Sequence, residues 1–140
     1  MAACRQEDLV DTALSEALAP VLQDLRTCGA PVPEVRDNQW SDFPGQATAM
    51  LHDVDGTAQG VFAMAAESLP ERIASVADQV QEWAVEALWR AGRPASWPEC
   101  PEHPGSHPLA AAVQHDRAVW VCPKTRHLVG DIGRLSTPGA

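Results

Sequence analysis

Residues 97–109 read W-P-E-C-P-E-H-P-G-S-H-P-L, and after a short spacer residues 119–127 read V-W-V-C-P-K-T-R-H. Between them these stretches hold two of the four cysteines and three of the five histidines. Thiolate sulfur and imidazole nitrogen are the donors a four-coordinate zinc ion favours. Two donors three residues apart reach one ion only where the backbone turns tightly between them. Cys100-Pro101-Glu102-His103 supplies such a turn, because proline fixes its own φ and gives up an N–H. Cys122 returns at the end of the apolar run Ala118–Val121 and opens a second Cys-Pro turn, Cys122-Pro123-Lys124-Thr125.

The expected ligands are Cys100, His103 and Cys122, with His107 as the fourth, since Cys-x2-His-x3-His keeps three donors on one loop. His127, five residues past Cys122, is the alternative fourth ligand, and His115, a carboxylate or water are further ways to complete the set. Water would matter most. Three protein ligands with an open position is the arrangement of zinc catalysis, and Glu102 would then stand as a general base. Taken singly, Cys122 in a strand reads as a small buried hydrophobe, and a histidine in a proline-rich loop as a solvated one. The cluster is what favours metal.

Two Cys-Pro turns about twenty residues apart resemble the two knuckles of a zinc ribbon, over the last 40 or so residues. The second knuckle departs from the ribbon pattern, carrying Thr125 where a ribbon has Cys or His. Alternation predicts a hairpin here, Arg117–Cys122 and Leu128–Ile132 turning at Pro123–Arg126, with Trp120 and Cys122 on one side.

Upstream, Val10, Leu14, Leu18, Val21, Leu22 and Leu25 keep helical spacing over residues 7–27, with a kink or break expected at Pro20 and an end at Gly29 and Pro31. An edge strand is expected within Pro33–Trp40, with Trp40 and Phe43 plugging the core. Asp55-Gly56 predicts a two-residue hairpin turn within 47–65. It pairs Met50 with Val61 and puts Ala49, Leu51, Phe62 and Met64 on the core face. Ser68-Leu69-Pro70-Glu71 reads as a capping box opening a helix over 68–91, with Ile73, Val76, Ala77, Val80, Trp83, Ala84, Ala87 and Leu88 as its apolar stripe. Trp89, off that stripe, is expected to cover the joint to the metal segment together with Trp97. The expected fold class is α+β: two helices packed on a small antiparallel β-meander, followed by a C-terminal zinc-ribbon-like β-hairpin. The division is residues 1–93 as body and 94–140 as zinc-binding segment.

The chain of 140 residues carries a net charge of −9. Residues 1–99 hold 16 acidic residues against six arginines, whereas residues 100–140 hold three against four cations. An acidic body repels phosphate backbones, so nucleic-acid binding is disfavoured except through Arg117, Lys124, Arg126 and Arg134. No apolar run reaches membrane-span length and the acidic N-terminus lacks a secretory pattern, so a cytoplasmic protein is expected. Cys4 and Cys28, at opposite ends of the first helix, are expected as free thiols, since a helix of that length spans roughly 36 Å. No nucleotide-binding loop, nucleophile elbow or H-E-x-x-H motif is present. Three functions are expected in descending order. The first is a non-enzymatic adaptor or regulator that carries structural zinc and contacts another protein. The second is a zinc hydrolase or zinc-thiolate redox sensor, and the third a nucleic-acid-binding ribbon.

Overall fold

A computed structural model describes residues 10–136, which form two helices and two three-stranded antiparallel sheets. Helix α1 covers Thr12–Thr27, capped by the Asp11 side chain, which accepts from Ala13 N. It runs through Pro20 without a break. A proline inside a helix costs about 3 kcal/mol. Leu14, Val21 and Leu25 on the same helix are fully buried, and each such burial contributes about 1.5–3 kcal/mol, so packing wins.

The first sheet consists of β1 (Glu34–Asp37), β2 (Gln46–His52) and β3 (Ala58–Met64), in that order. The β2–β3 turn is one residue longer than expected. Asp53 N donates to Thr57 O at 2.9 Å, leaving Val54-Asp55-Gly56 as a three-residue loop with Gly56 at φ 92°. The register therefore pairs Met50 with Gly60 and Ala49 with Val61. A one-residue slip exchanges the faces of a strand. Val61 and Ala63 join Ala47, Ala49 and Leu51 in the core, and Phe62 and Met64 do not.

On the outer face of this sheet Trp40 lies over Gly60, donates to Ala49 O at 2.9 Å and meets Phe62 edge-on at 6.2 Å. Trp40 and Phe43 thus stand outside the core, contrary to expectation, with Phe43 62% exposed. Helix α2 (Leu69–Arg90) opens with the capping box of Ser68 and Glu71 and buries Val76, Ala77, Val80, Trp83, Ala84, Ala87 and Leu88. It packs against α1 and β3 and also reaches the second sheet. Its Gln79 amide pairs with both N–H and C=O of Phe62, at 3.0 and 2.9 Å, standing in for a neighbouring strand on the open edge of β3.

The second sheet has three strands where a hairpin was expected: β4 (Ala110–Gln114), β5 (Arg117–Val121) and β6 (Leu128–Asp131). The β4–β5 turn is His115-Asp116, both residues at positive φ. One continuous core unites α1, α2 and the first sheet with Trp97, Cys100, Leu109, Trp120 and Cys122 of the later segment. Trp97 is 3% exposed and lies edge-on to Trp120 at 5.5 Å; Trp89 is 71% exposed and covers no joint. Cys28, Cys100 and Cys122 are free thiols. Cys4 lies outside the described residues.

Candidate metal centre

Helix α2 positions the first three donors from a distance. Gln81 Nε2 donates to Trp97 O at 3.0 Å and to Leu109 O at 2.6 Å, clasping both ends of the loop between them. Leu109 N donates to Pro98 O at 2.8 Å, and Glu99 bridges to Pro108, so the loop closes on itself. Within it His103 N donates to Cys100 O at 3.2 Å, making the tight turn that the Cys-Pro step anticipates. Ser106 N donates to His103 O at 3.1 Å, which brings His107 back beside His103.

The fourth donor comes from the end of β5. Cys122 N donates to His127 O at 3.0 Å and Arg126 N to Cys122 O at 2.8 Å, with Arg126 at φ 67° closing the loop. Burial alone would raise the Cys122 thiol. Hydrogen bonding from Thr125, from the backbone amide of Lys124 and from the Cys100 thiol outweighs it and holds Cys122 below its ordinary value. Those donors favour the charged sulfur, which is the form that ligates metal.

The ligand atoms of Cys100, His103, His107 and Cys122 all lie within 4.8 Å of one another, and they can hold a metal ion. His103 Nδ1 stands 3.6 Å from each sulfur and 3.1 Å from His107 Nε2. Tetrahedral bonds of zinc to sulfur and nitrogen place neighbouring donors about 3.3–3.8 Å apart. The His107 Nδ1 lies 3.1 Å from Pro108 O, so this nitrogen carries the proton and Nε2 turns its lone pair to the cluster. A proton shared between two imidazoles would satisfy the nitrogens alone; two sulfurs converging on the same point favour a cation. Both cysteines are fully buried and both histidines half-buried.

His127 is not among the converging donors. Its Nδ1 pairs with Glu102 Oε2 at 2.7 Å, and Thr125 Oγ1 donates to Glu102 Oε1 at 2.9 Å. The His127 imidazole and the Thr125 hydroxyl lower the Glu102 carboxyl, and Glu102 raises His127 in turn. Glu102 therefore ties the first turn to the second; the Thr125 hydroxyl is engaged in that tie, and the Thr125 backbone N–H serves the Cys122 sulfur. His115 is exposed in the β4–β5 turn. The clasp by Gln81 gives no sequence signal, because a half-buried glutamine on an amphipathic helix reads as its solvated flank. Asp24 did give one: it falls on the apolar stripe of α1, and it is fully buried.

Among the described residues no helix is long and apolar enough to cross a membrane. Comparison with protein-family models, with curated proteins and with solved structures found no match.

Proposed function

We propose that Cys100, His103, His107 and Cys122 bind one zinc ion in a closed, structural site, and that the chain is a non-enzymatic cytoplasmic adaptor or regulator contacting another protein. The convergence of four donor atoms within 4.8 Å carries the reading. A pair of thiolates with a pair of imidazoles selects zinc over the oxygen-seeking cations. Four protein ligands fill a tetrahedron and leave no place for an activated water, and Glu102 is engaged by Thr125 and His127. The likeness of residues 94–140 to a zinc ribbon belongs to the same reading, with Cys100-x2-His103 as one knuckle and the Cys122 turn as the other. Phe43 and Trp89, 62% and 71% exposed, offer the aromatic surface that protein interfaces favour.

Metal analysis of the purified chain tests the site: one zinc per chain is expected, lost in Cys122→Ser. A wild-type chain that holds no stoichiometric metal after zinc supplementation would overturn it. Co-purification of a protein partner, abolished by Phe43→Ser with zinc content unchanged, tests the adaptor role. A redox-sensing reading is favoured by the closeness of the Cys100 and Cys122 sulfurs. Peroxide would take two electrons from the two thiolates, form a disulfide and remove half the ligand set. Zinc release at low peroxide with a Cys100–Cys122 disulfide would establish that role; zinc retained under peroxide would leave the structural one.

A further inference from the structure

The two edges of the first sheet are finished differently. On the β3 edge the Gln79 amide takes up the N–H and C=O of Phe62. On the β1 edge no such side chain stands, and the ladder itself shows which groups are left over. Asp53 N donates to Thr57 O and Ala65 N to Gly45 O, so the odd-numbered residues of β2 bond to β3. The even-numbered ones bond to β1, which pairs Met50 with Arg36 and His52 with Glu34. Val35 lies between those two and turns its N–H and C=O away from the sheet. Among the described residues neither group has a hydrogen-bond partner. Backbone groups without a partner are ordinarily open to water, and an open strand edge is a template for another strand.

The side chains of β1 say which strand. Ala49 and Leu51 face the core, so Met50 and His52, and with them Glu34 and Arg36, stand on the outer face of the sheet. Arg36 Nη2 donates to Glu34 Oε1 at 2.8 Å, and both side chains are exposed. Glu34-Val35-Arg36 read backwards is its own electrostatic complement. In an antiparallel pair centred on Val35, Glu34 lies opposite Arg36 of the second copy and Arg36 opposite its Glu34. The four charges form a square with opposite signs along every side. Centred on Glu34 or on Arg36, the same pairing sets like charges face to face. Both helices lean to the far side of the sheet, α1 onto β2 and β3 and α2 onto β3, and neither makes extensive contact with β1.

We infer that β1 is a homodimer edge: it pairs antiparallel about a two-fold axis with β1 of a second copy of this chain, joining two three-stranded sheets into one. The two Val35 residues exchange N–H and C=O bonds. Pro33, which has no N–H, limits the pairing at each end. The contact lies on the first sheet, apart from the metal ligands, and does not depend on them.

Sedimentation equilibrium of the full-length protein, from about 10 µM to about 1 mM, tests the pairing. A reversible monomer–dimer equilibrium is expected, with a dissociation constant of about 100 µM, in keeping with so short a strand. Glu34→Lys makes all four charges positive and Arg36→Glu makes all four negative. Each is expected to weaken the dimer at least tenfold, with a melting temperature near wild type because both positions are exposed. An equimolar mixture of the two variants is expected to form a heterodimer, and the double variant Glu34→Lys/Arg36→Glu to recover the wild-type equilibrium within about threefold. A wild-type chain that stays monomeric at about 1 mM would overturn the assignment. So would a dimer untouched by either reversal, which must use another surface, or a double variant that does not dimerise.

Discussion

Trp120 Nε1 donates to Asp24 Oδ2 at 2.8 Å, although 96 residues separate the two along the chain. Gly133 N and Leu135 N donate to the same side chain at 2.7 and 3.1 Å. One acidic residue on α1 thus holds both the central strand of the second sheet and the segment that follows β6. Asp24→Ala would leave an indole and two backbone amides without acceptors. It is expected to destabilise the fold by about 3–5 kcal/mol in urea titrations. Asp24→Asn keeps one oxygen but sets an amide donor against the others, and about 2 kcal/mol is expected. Wild-type stability in Asp24→Ala would show that the second sheet is held by apolar packing alone.

The metal reading separates two histidines that the spacing left as rivals. His107 Nε2 faces His103 Nδ1 at 3.1 Å, whereas His127 Nδ1 is taken up by Glu102 at 2.7 Å. His107→Ala is expected to lose stoichiometric zinc and the cobalt-substituted spectrum of a tetrahedral thiolate site. His127→Ala is expected to keep both, with at most a several-fold weaker affinity from the loosened Glu102. Zinc added to the metal-free wild-type chain is expected to raise the melting temperature, because metal bound only by the folded chain stabilises it by mass action. The reverse order of the two histidine variants would move the site.

The helices and the ligand loop were legible because their signals are local. The capping box at Ser68 and Glu71 and the Cys100-x2-His103 turn are written within four residues each. The first hairpin failed by one residue, since Asp55-Gly56 serves a two-residue turn and the last two positions of a three-residue loop equally well. Only the pairing of Asp53 with Thr57 decides between them. Strand β4 was passed over as a spacer because Ala110-Ala111-Ala112 has little intrinsic strand preference; β5 supplies its partner. Asp24 was not singled out from the sequence: it falls on the apolar stripe of α1, but its three donors come from residues 120–135.

That same hairpin carries a titration. The Thr57 hydroxyl first, then its backbone N–H, and Arg90 more weakly, hold the Asp55 carboxyl below its usual range. A depressed carboxyl contributes stability that is present above its unfolded-state pKa and lost as pH falls through the lower folded-state value. Asp55→Asn is therefore expected to flatten the acid limb of the stability curve below about pH 4 and to leave the neutral plateau nearly level. An acid limb identical to wild type would mean that the loop is open in solution.

Gly133 offers the sharpest test of how the last described segment docks. It sits at φ 102°, and a Cβ there would approach Pro20 Cβ to 2.7 Å and Pro20 Cα to 3.2 Å. Alanine would meet both a left-handed backbone and a wall that includes main chain, so about 2–4 kcal/mol is expected, a fall in melting temperature of roughly 7–14 °C. Gly130 is the matched control, with nothing within 4 Å of its Cβ position and no positive φ; Gly130→Ala is expected to stay within about 1 kcal/mol of wild type. Pro20 and Asp24 lie one helical turn apart on α1, so the contact that excludes a side chain at Gly133 adjoins the one that receives its N–H. Arg134 and Leu135 follow directly and line a cleft of about 620 Å³ beside Cys100. A Gly133→Ala chain as stable as Gly130→Ala would place this segment away from α1 and take one wall of the cleft with it.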